Sequence, residues 1–303
     1  MQRAMIKRRS SKLRRIEKDI LPYFFISPAI ILLIILTFIP FLEAIRMSFT
    51  ACNLFRPGSE NRYVGLDNYI TMLQNPDFYR VLLNTIVFTI FSITISLLIS
   101  LVAALALNEK IRGVNVFKTI VLLPWVIPPV AAALIWQQLF DSNFGVINYL
   151  LTVTGLSTKY EAFLANPQLV LYSLAIIAVW KYSPFLIVGL LAGLQAIPEH
   201  LYEAAKVDGA GRWQRFLNVT LPGIKPILFI LLMLQIIWRF NHFDIVWILT
   251  GGGPGVSSHL VSTYAYEYAF RFYDFARGST VAVISLVLIL ILTYFYVRRT
   301  KIW

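Results

Sequence analysis

Six stretches of this chain are apolar over about the length that a helix needs to cross a lipid bilayer. The hydrocarbon core of a bilayer is about 30 Å thick, and a helix crosses it in about 20 residues. The stretches lie at residues 22–45, 81–107, 117–140, 168–194, 227–249 and 279–297. Because unpaired backbone groups are costly in lipid, each stretch is predicted to be helical. The sequence therefore predicts an all-α transmembrane bundle of six spans, with a membrane domain at residues 21–297.

The distribution of charge supports lipid as the main solvent. Charged residues make up only 14% of the 303 residues, whereas soluble domains carry about 25%. The net charge of +12 does not indicate nucleic-acid binding, because eight basic residues crowd into positions 3–18, directly before the first apolar stretch. Such a cluster is typical of a topology signal that also attracts anionic lipid. The single cysteine, Cys52, excludes an internal disulfide and a cysteine-based metal site.

Lysine and arginine counts predict the orientation. Four segments hold 18 of the 27 basic residues: the tail 1–20, the loops after the second and fourth spans, and the tail 298–303. Basic residues concentrate on the cytoplasmic side of a membrane protein. Both termini are therefore predicted to be cytoplasmic, with the loops at about 47–80, 141–167 and 250–278 outside.

The loop after the fourth span, residues 195–226, contains a short predicted helix. Pro198 suits a helix start, and Gly209 and Gly211 suit its end. One face carries the small residues Ala204 and Ala205, flanked by the carboxylates of Glu203 and Asp208. Small residues let another surface approach the backbone closely. From these residues alone, a docking helix and a helix lying at the membrane interface are equally good interpretations.

The spacing in this loop resembles the EAA signature of ABC importer permeases. The matching positions are Glu203-Ala204-Ala205, Asp208-Gly209-Ala210, Phe216 and Leu221-Pro222. In that family the segment is the coupling helix, which docks in a cleft of an ATPase subunit. The resemblance implies an ATPase-coupling role for Glu203, Ala204, Ala205, Asp208, Gly209, Leu221 and Pro222.

Further segments resemble the carbohydrate branch of that family, the maltose-type permeases. They are residues 64–69, Asn84-Thr85, 250–254 and 264–270. The resemblance implies a six-span type I importer fold in the bacterial inner membrane. It also implies a permease subunit that moves a sugar or oligosaccharide by alternating access. The implied partners are a second, different permease, two ATPase subunits and an extracytoplasmic solute-binding protein.

No enzymatic machinery is predicted in the chain. The run 251–255 is rich in glycine but lacks the lysine of a Walker A motif, so ATP and Mg would be used by the partner ATPase. We predict no catalytic residue, no metal site and no cofactor bound by this chain. An ion-coupled secondary transporter is a weaker alternative, because the spans hold almost no acid beyond Asp244. Another cargo for the same importer class, an acidic oligosaccharide or glycerol phosphate, is a further alternative.

Polar residues inside two spans mark a candidate substrate pathway. Ionisable groups within spans are costly and are functional by default. The resemblance carries the family's mid-membrane sugar site onto two helices, and Lys181 lies beside it. The candidate residues are Lys181, Tyr182, Phe185, Gln235, Trp238 and Arg239. The two cations raise an acidic carbohydrate as a minority hypothesis; alternatively they pair with acids on a partner or reach toward the interface.

A stripe of small polar residues on the second span is predicted to serve helix packing. Its members are Thr85, Thr89, Ser92, Ser96 and Ser100. Small side chains on one helical face allow a neighbouring helix to come close.

Overall fold

The computed structural model describes residues 22–60, 62–109 and 113–300, and within them the chain is helical apart from loops and one isolated bridge between Thr50 and Tyr63. The helices are Pro22–Ser48 (α1), Asp67–Leu73 (α2), Pro76–Asn108 (α3), Val114–Val126 (α4), Pro129–Leu139 (α5), Val146–Val153 (α6), Val170–Gln195 (α7), Glu199–Val207 (α8), Arg212–Arg215 (α9), Leu221–Phe240 (α10), Asp244–Thr250 (α11), Val261–Tyr266 (α12) and Phe275–Thr300 (α13). Three five-residue π-helical turns lie at Ile34–Phe38, Phe216–Thr220 and Glu267–Arg271.

Five of these helical segments are long and apolar enough to cross a bilayer, and a bent pair raises the number to six if it counts as one span. Helices α1, α3, α7 and α13 match four predicted spans within a few residues at each end. The basic tail 1–20, residues 110–112 and residues 301–303 lie outside the described part of the chain.

The third predicted span is not one continuous helix, so the prediction for 117–140 is wrong in this respect. Helices α4 and α5 meet at an angle of 95°. Pro128 and Pro129 cause the break, because proline has no backbone N–H and pushes the preceding residue out of the helical region. Ile127 accordingly has an extended ψ of 130°.

The fifth span also differs from its predicted bounds of 227–249. Its helical run extends over Arg212–Thr250, so the second half of the predicted loop 195–226 already belongs to it. A π-helical turn at Phe216–Thr220 precedes Pro222, whose missing N–H cannot continue the regular hydrogen-bond ladder. Residues 241–243 interrupt the run between α10 and α11.

Helix α7 lies at the centre of the bundle and α1 at its edge. About two thirds of the most apolar window of α7 is buried within the chain (67%), against none for α1 (0%). The small-residue stripe of α3 is buried against neighbouring helices. Against α7, Ser100 Oγ donates to the Ser183 carbonyl at 3.2 Å and Ser183 Oγ donates to Ser96 Oγ at 3.3 Å, whereas Thr85 Oγ1 accepts from the Val261 amide of α12 at 3.1 Å. The packing interpretation of this stripe is confirmed. Helix α7 continues through Pro184 without a break.

Candidate functional site

A cavity of about 310 Å³ lies where two spanning segments are interrupted. One interruption is the bend between α4 and α5, which places Trp125 in the wall; the other is the segment 241–243. The cavity is lined by Trp125, Tyr182, Phe185, Gln235, Ile237, Trp238, Arg239, Asn241, His242, Phe243 and Asp244. Discontinuous helices leave backbone groups free to face a ligand, and transporter binding sites are commonly built around them.

One wall of the cavity is aromatic. Phe185 lies between two indole rings, with centroid separations of 6.0 Å to Trp125 and 5.0 Å to Trp238. Trp238 remains half exposed, at 50%. Flat apolar faces of this kind can receive a ring-shaped ligand, while polar groups elsewhere fix its orientation.

The opposite wall carries Arg239, whose guanidinium is buried. The residue is 2% exposed, and its Cζ lies 4.9 Å from the centroid of the Tyr182 ring. Among the described residues, none hydrogen-bonds to Nε, Nη1 or Nη2 of this side chain. Gln235, one helical turn earlier on α10, is also 2% exposed and lines the same cavity. The result is a cation held by ring contacts rather than by hydrogen bonds.

His242 and Asp244 complete the polar lining. The imidazole of His242 stacks on Phe88 of α3 at a centroid distance of 5.4 Å and meets the edge of Tyr182 at 5.5 Å. Its Nε2 has no hydrogen-bond partner in the described structure. Asp244 begins α11 and is exposed. Within the described residues no ion pair joins it to Arg239.

Lys181 does not line this cavity; it contacts the break in the third span, and its Nζ lies 5.4 Å from the centroid of the Tyr182 ring. It is 2% exposed, and its Nζ donates to the carbonyl of Pro124 at 3.3 Å and to that of Ile127. These carbonyls lie at the end of α4, where the bend removes their helical partners. The geometry gives Lys181 the role of satisfying a broken helix end.

The predicted helix in the loop 195–226 is present as α8, nine residues long. Pro198 precedes the first helical residue, and Glu199 occupies the first turn. The helix is tied to the membrane-spanning run by the hydroxyls of Tyr202 and Thr220, which are 3.1 Å apart. Leu221 and Pro222 lie at the start of α10, outside α8 itself.

Gly209 ends α8 in the left-handed conformation, with φ +76°. The Ala210 amide donates to the Ala205 carbonyl at 2.9 Å, and the Gly209 amide donates to the Lys206 carbonyl at 3.1 Å. This pair of bonds is a Schellman motif, which favours glycine because an L side chain is strained at positive φ. A Cβ at Gly209 would meet no atom within 4 Å, so only the backbone angle selects glycine there.

The outward face of α8 is exposed and mixed in character. Glu203, Ala204 and Asp208 are exposed, and Ala205 is half-buried. Beside them, Val207 is 87% exposed and Trp213 is 70% exposed. Two large apolar side chains are thus exposed close in sequence to two acidic residues.

The glycine-rich run after α11 forms a compact turn on the opposite side of the bundle. The Thr250 and Ser258 hydroxyls are 2.8 Å apart, and the Gly252 backbone lies flat against the His259 ring, where a Cβ would fall 2.1 Å from Cε1. His259 Nε2 is 2.9 Å from Glu267 Oε2. Burial lowers the pKa of His259 below its usual range, against the opposing effect of the Glu267 carboxylate.

Sequence reasoning places five of its six candidate pathway residues in the cavity wall and misses several others. Tyr182, Phe185, Gln235, Trp238 and Arg239 line the cavity, whereas Lys181 does not. The lining residues outside those six candidates are Trp125, Ile237, Asn241, His242, Phe243 and Asp244. Of these, His242 shares one helical face with Gln235 and Arg239 in the sequence, at spacings of four and three residues. Consecutive prolines at 128–129 are the signal that could have indicated Trp125, because they bend α4 toward α7.

Comparisons with known proteins agree with this arrangement. A family model described as the binding-protein-dependent transport system inner membrane component matches residues 96–300. The trehalose/maltose transport system permease protein MalF of Thermococcus litoralis is 35% identical, covering 95% of this chain and 96% of that one. The sulfoquinovosyl glycerol transport system permease protein SmoG of Agrobacterium fabrum is 33% identical, with 91% of this chain and 89% of that one covered.

Solved structures share the fold over almost the whole chain. A chain from a bacterial ABC transporter involved in the import of the acidic polysaccharide alginate superimposes with a TM-score of 0.82 at 26% identity, covering 96% of this chain and 98% of that one. A chain from a bacterial alginate ABC transporter in complex with an alginate pentasaccharide-bound periplasmic protein gives a TM-score of 0.81 at 27% identity, covering 95% and 97%.

The fold and the cavity define a multi-pass membrane transport subunit whose interrupted spans surround a polar site. The chain belongs to the family of binding-protein-dependent transport system inner membrane components, the permeases of ABC importers.

Proposed function

We propose that this permease imports a sugar or oligosaccharide, and that the cavity at the two interrupted spans is part of the substrate pathway. The similarity to a trehalose/maltose permease over 95% of the chain carries the choice of cargo. The cavity supports it, since an aromatic wall can stack on sugar rings while Gln235 and Arg239 donate to hydroxyl oxygens. Alternating access would expose this site to each side in turn, with no bond in the sugar broken.

Uptake by a reconstituted importer tests the pathway. Phe185→Ala removes the ring that joins the two indoles and should lower uptake of the cognate sugar severalfold, because an aromatic ring contact contributes about 0.5–1.5 kcal/mol. Phe144→Ala is the matched control, since Phe144 is 73% exposed and distant in the chain from the cavity-lining helices. Equal uptake by both variants would refute the pathway.

We also propose that α8 is the element through which ATPase subunits drive the permease. The exposed small-residue face and the glycine-terminated end support this role. ATP and Mg would be used by those subunits, and a second, different permease and an extracytoplasmic binding protein would complete the importer.

A cysteine at Ala205, in a Cys52→Ser background, should crosslink to an ATPase subunit in the assembled complex. A cysteine at Arg298, near the end of α13, should not; crosslinks from both or from neither position would count against the assignment.

The proposed location is the bacterial inner membrane, with the basic tails 1–20 and 298–303 and α8 in the cytoplasm. The concentration of lysine and arginine in those segments supports this orientation. The proposed membrane domain covers residues 21–297.

A further inference from the structure

Arg239 is the one cavity-lining group in the described structure that carries a full charge and lacks any hydrogen-bond partner while buried. All three guanidinium nitrogens are without partners, and the side chain is 2% exposed. Its contact with the Tyr182 ring, at 4.9 Å, supports the cation without using any of its five N–H donors. The donors are therefore unpaired, at a residue that lines the cavity.

A buried cation without a partner is costly, and the cost is greatest in the interior of a membrane protein. Asp244 is the acidic residue in the cavity lining. It forms no ion pair with Arg239 in the described residues, and it is exposed. Lys181 offers a contrast, because its ammonium donates to two backbone carbonyls. Of these two buried cations, only Arg239 lines the cavity and lacks hydrogen-bond partners in the described structure.

We propose that Arg239 binds a carboxylate on the transported carbohydrate, so that the cargo contains an acidic sugar of the uronate type. A guanidinium presents a planar fork that matches a carboxylate with two parallel hydrogen bonds. The sugar ring bearing that carboxylate would lie against Phe185 and Trp238, and Gln235 would bond its hydroxyls. This inference rests on the proposed function, and it adds one chemical group to the cargo.

Binding to the purified importer, without its solute-binding protein, tests the inference directly. Trp125 and Trp238 line the cavity, so ligand entry should change tryptophan fluorescence. The probes are trigalacturonate and, as its neutral match, maltotriose. In wild type we expect trigalacturonate to bind at least about tenfold more tightly. Arg239→Gln keeps donors at this position but removes the charge; it should weaken trigalacturonate binding about tenfold or more and change maltotriose binding less than about twofold.

The other outcomes separate this inference from the pathway proposal. If wild type binds maltotriose as tightly as trigalacturonate, or if Arg239→Gln weakens both equally, the carboxylate assignment is overturned while the sugar pathway stands. If neither sugar binds wild type, both are overturned. If Arg239→Gln fails to assemble with the second permease while Arg239→Lys assembles, the charge pairs with a partner carboxylate and the inference fails.

Discussion

Lys181 and Arg239 are both buried cations on spanning segments, but their surroundings give them different roles. Lys181 donates to carbonyls at the broken end of α4, whereas Arg239 faces a cavity without hydrogen-bond partners. The sequence predicts both as candidate pathway residues, because both are basic residues in apolar stretches. The distinction depends on where α4 ends, and that is a property of the folded bundle.

Lys181→Met should destabilise the permease without altering ligand affinity. The substitution keeps a long side chain but leaves the Pro124 and Ile127 carbonyls without a donor, at a cost of about 1–3 kcal/mol. The thermal midpoint of the purified importer should fall by several degrees. Lys159→Met is the control, because Lys159 is 76% exposed and such a surface pair contributes about 0–1 kcal/mol. An unchanged midpoint together with lost ligand binding would return Lys181 to the substrate pathway.

Gly209→Val should uncouple ATP hydrolysis from transport. Valine at φ +76° is strained by about 1–2 kcal/mol, so the end of α8 would be displaced although the site itself has room for a side chain. Uptake should fall severalfold while ATP hydrolysis by the assembled importer continues, with the protein still present in the membrane. Gly209→Asn should be milder, since asparagine tolerates this conformation.

Gly211→Ala is the matched control for this experiment. Gly211 has φ −65°, which any residue adopts, and a Cβ there would meet only Gln214 Oε1 at 3.8 Å. We expect the Gly211→Ala variant to couple ATP hydrolysis to transport as the wild type does. Normal coupling by Gly209→Val as well would mean that the shape of this helix end does not matter.

At the scale of helices, the sequence predicts well where the spans lie in the chain, but it predicts poorly whether each span is one continuous helix. Apolar length fixes α1, α3, α7 and α13 within a few residues, because lipid requires it at every position of a span. The bend at 127–128 does not change how apolar residues 117–140 are. A prediction based on the length of apolar stretches therefore does not detect the bend. Its only local signal is a pair of prolines, and the single proline at 184 does not interrupt α7. Whether a proline breaks a helix depends on the packing around it, and Pro184 is buried between neighbouring helices.

The contact between α3 and α7 gives a test of helix packing. Ser96 is fully buried at 0% exposure, and Ser183 Oγ lies 3.3 Å from its hydroxyl. Ser96→Leu adds volume where the two helices touch and should destabilise the fold by about 1–3 kcal/mol, seen as a lower thermal midpoint. Thr94→Leu adds volume to the exposed side of the same helix and should have little effect. Equal effects from both would show that this contact is loosely packed.

At the scale of the whole molecule, the cavity joins residues far apart in sequence. Phe88 of α3 supports His242, and Trp125 of α4 meets Phe185 of α7, which in turn contacts Trp238 of α10. Periodicity identifies the face of a single helix, which is how Gln235 and Arg239 could be grouped in advance. Periodicity does not show which other helices that face contacts. The positions of Trp125 and Asp244 in the cavity lining are therefore known only from the three-dimensional structure.

The length of α7 fixes two loops on opposite sides of the membrane. Its 26 residues span about 39 Å, more than the hydrocarbon core, so Gln168 before it and Lys206 after it lie at different surfaces. From the concentration of basic residues we predict that the Lys206 side faces the cytoplasm. In a Cys52→Ser background, Gln168→Cys should react with a membrane-impermeant maleimide on intact spheroplasts. Lys206→Cys should react only after permeabilisation. The reverse pattern would invert the orientation and place α8 on the wrong side of the membrane to receive an ATPase, whereas labelling of both from outside would contradict the assignment of α7 as a span.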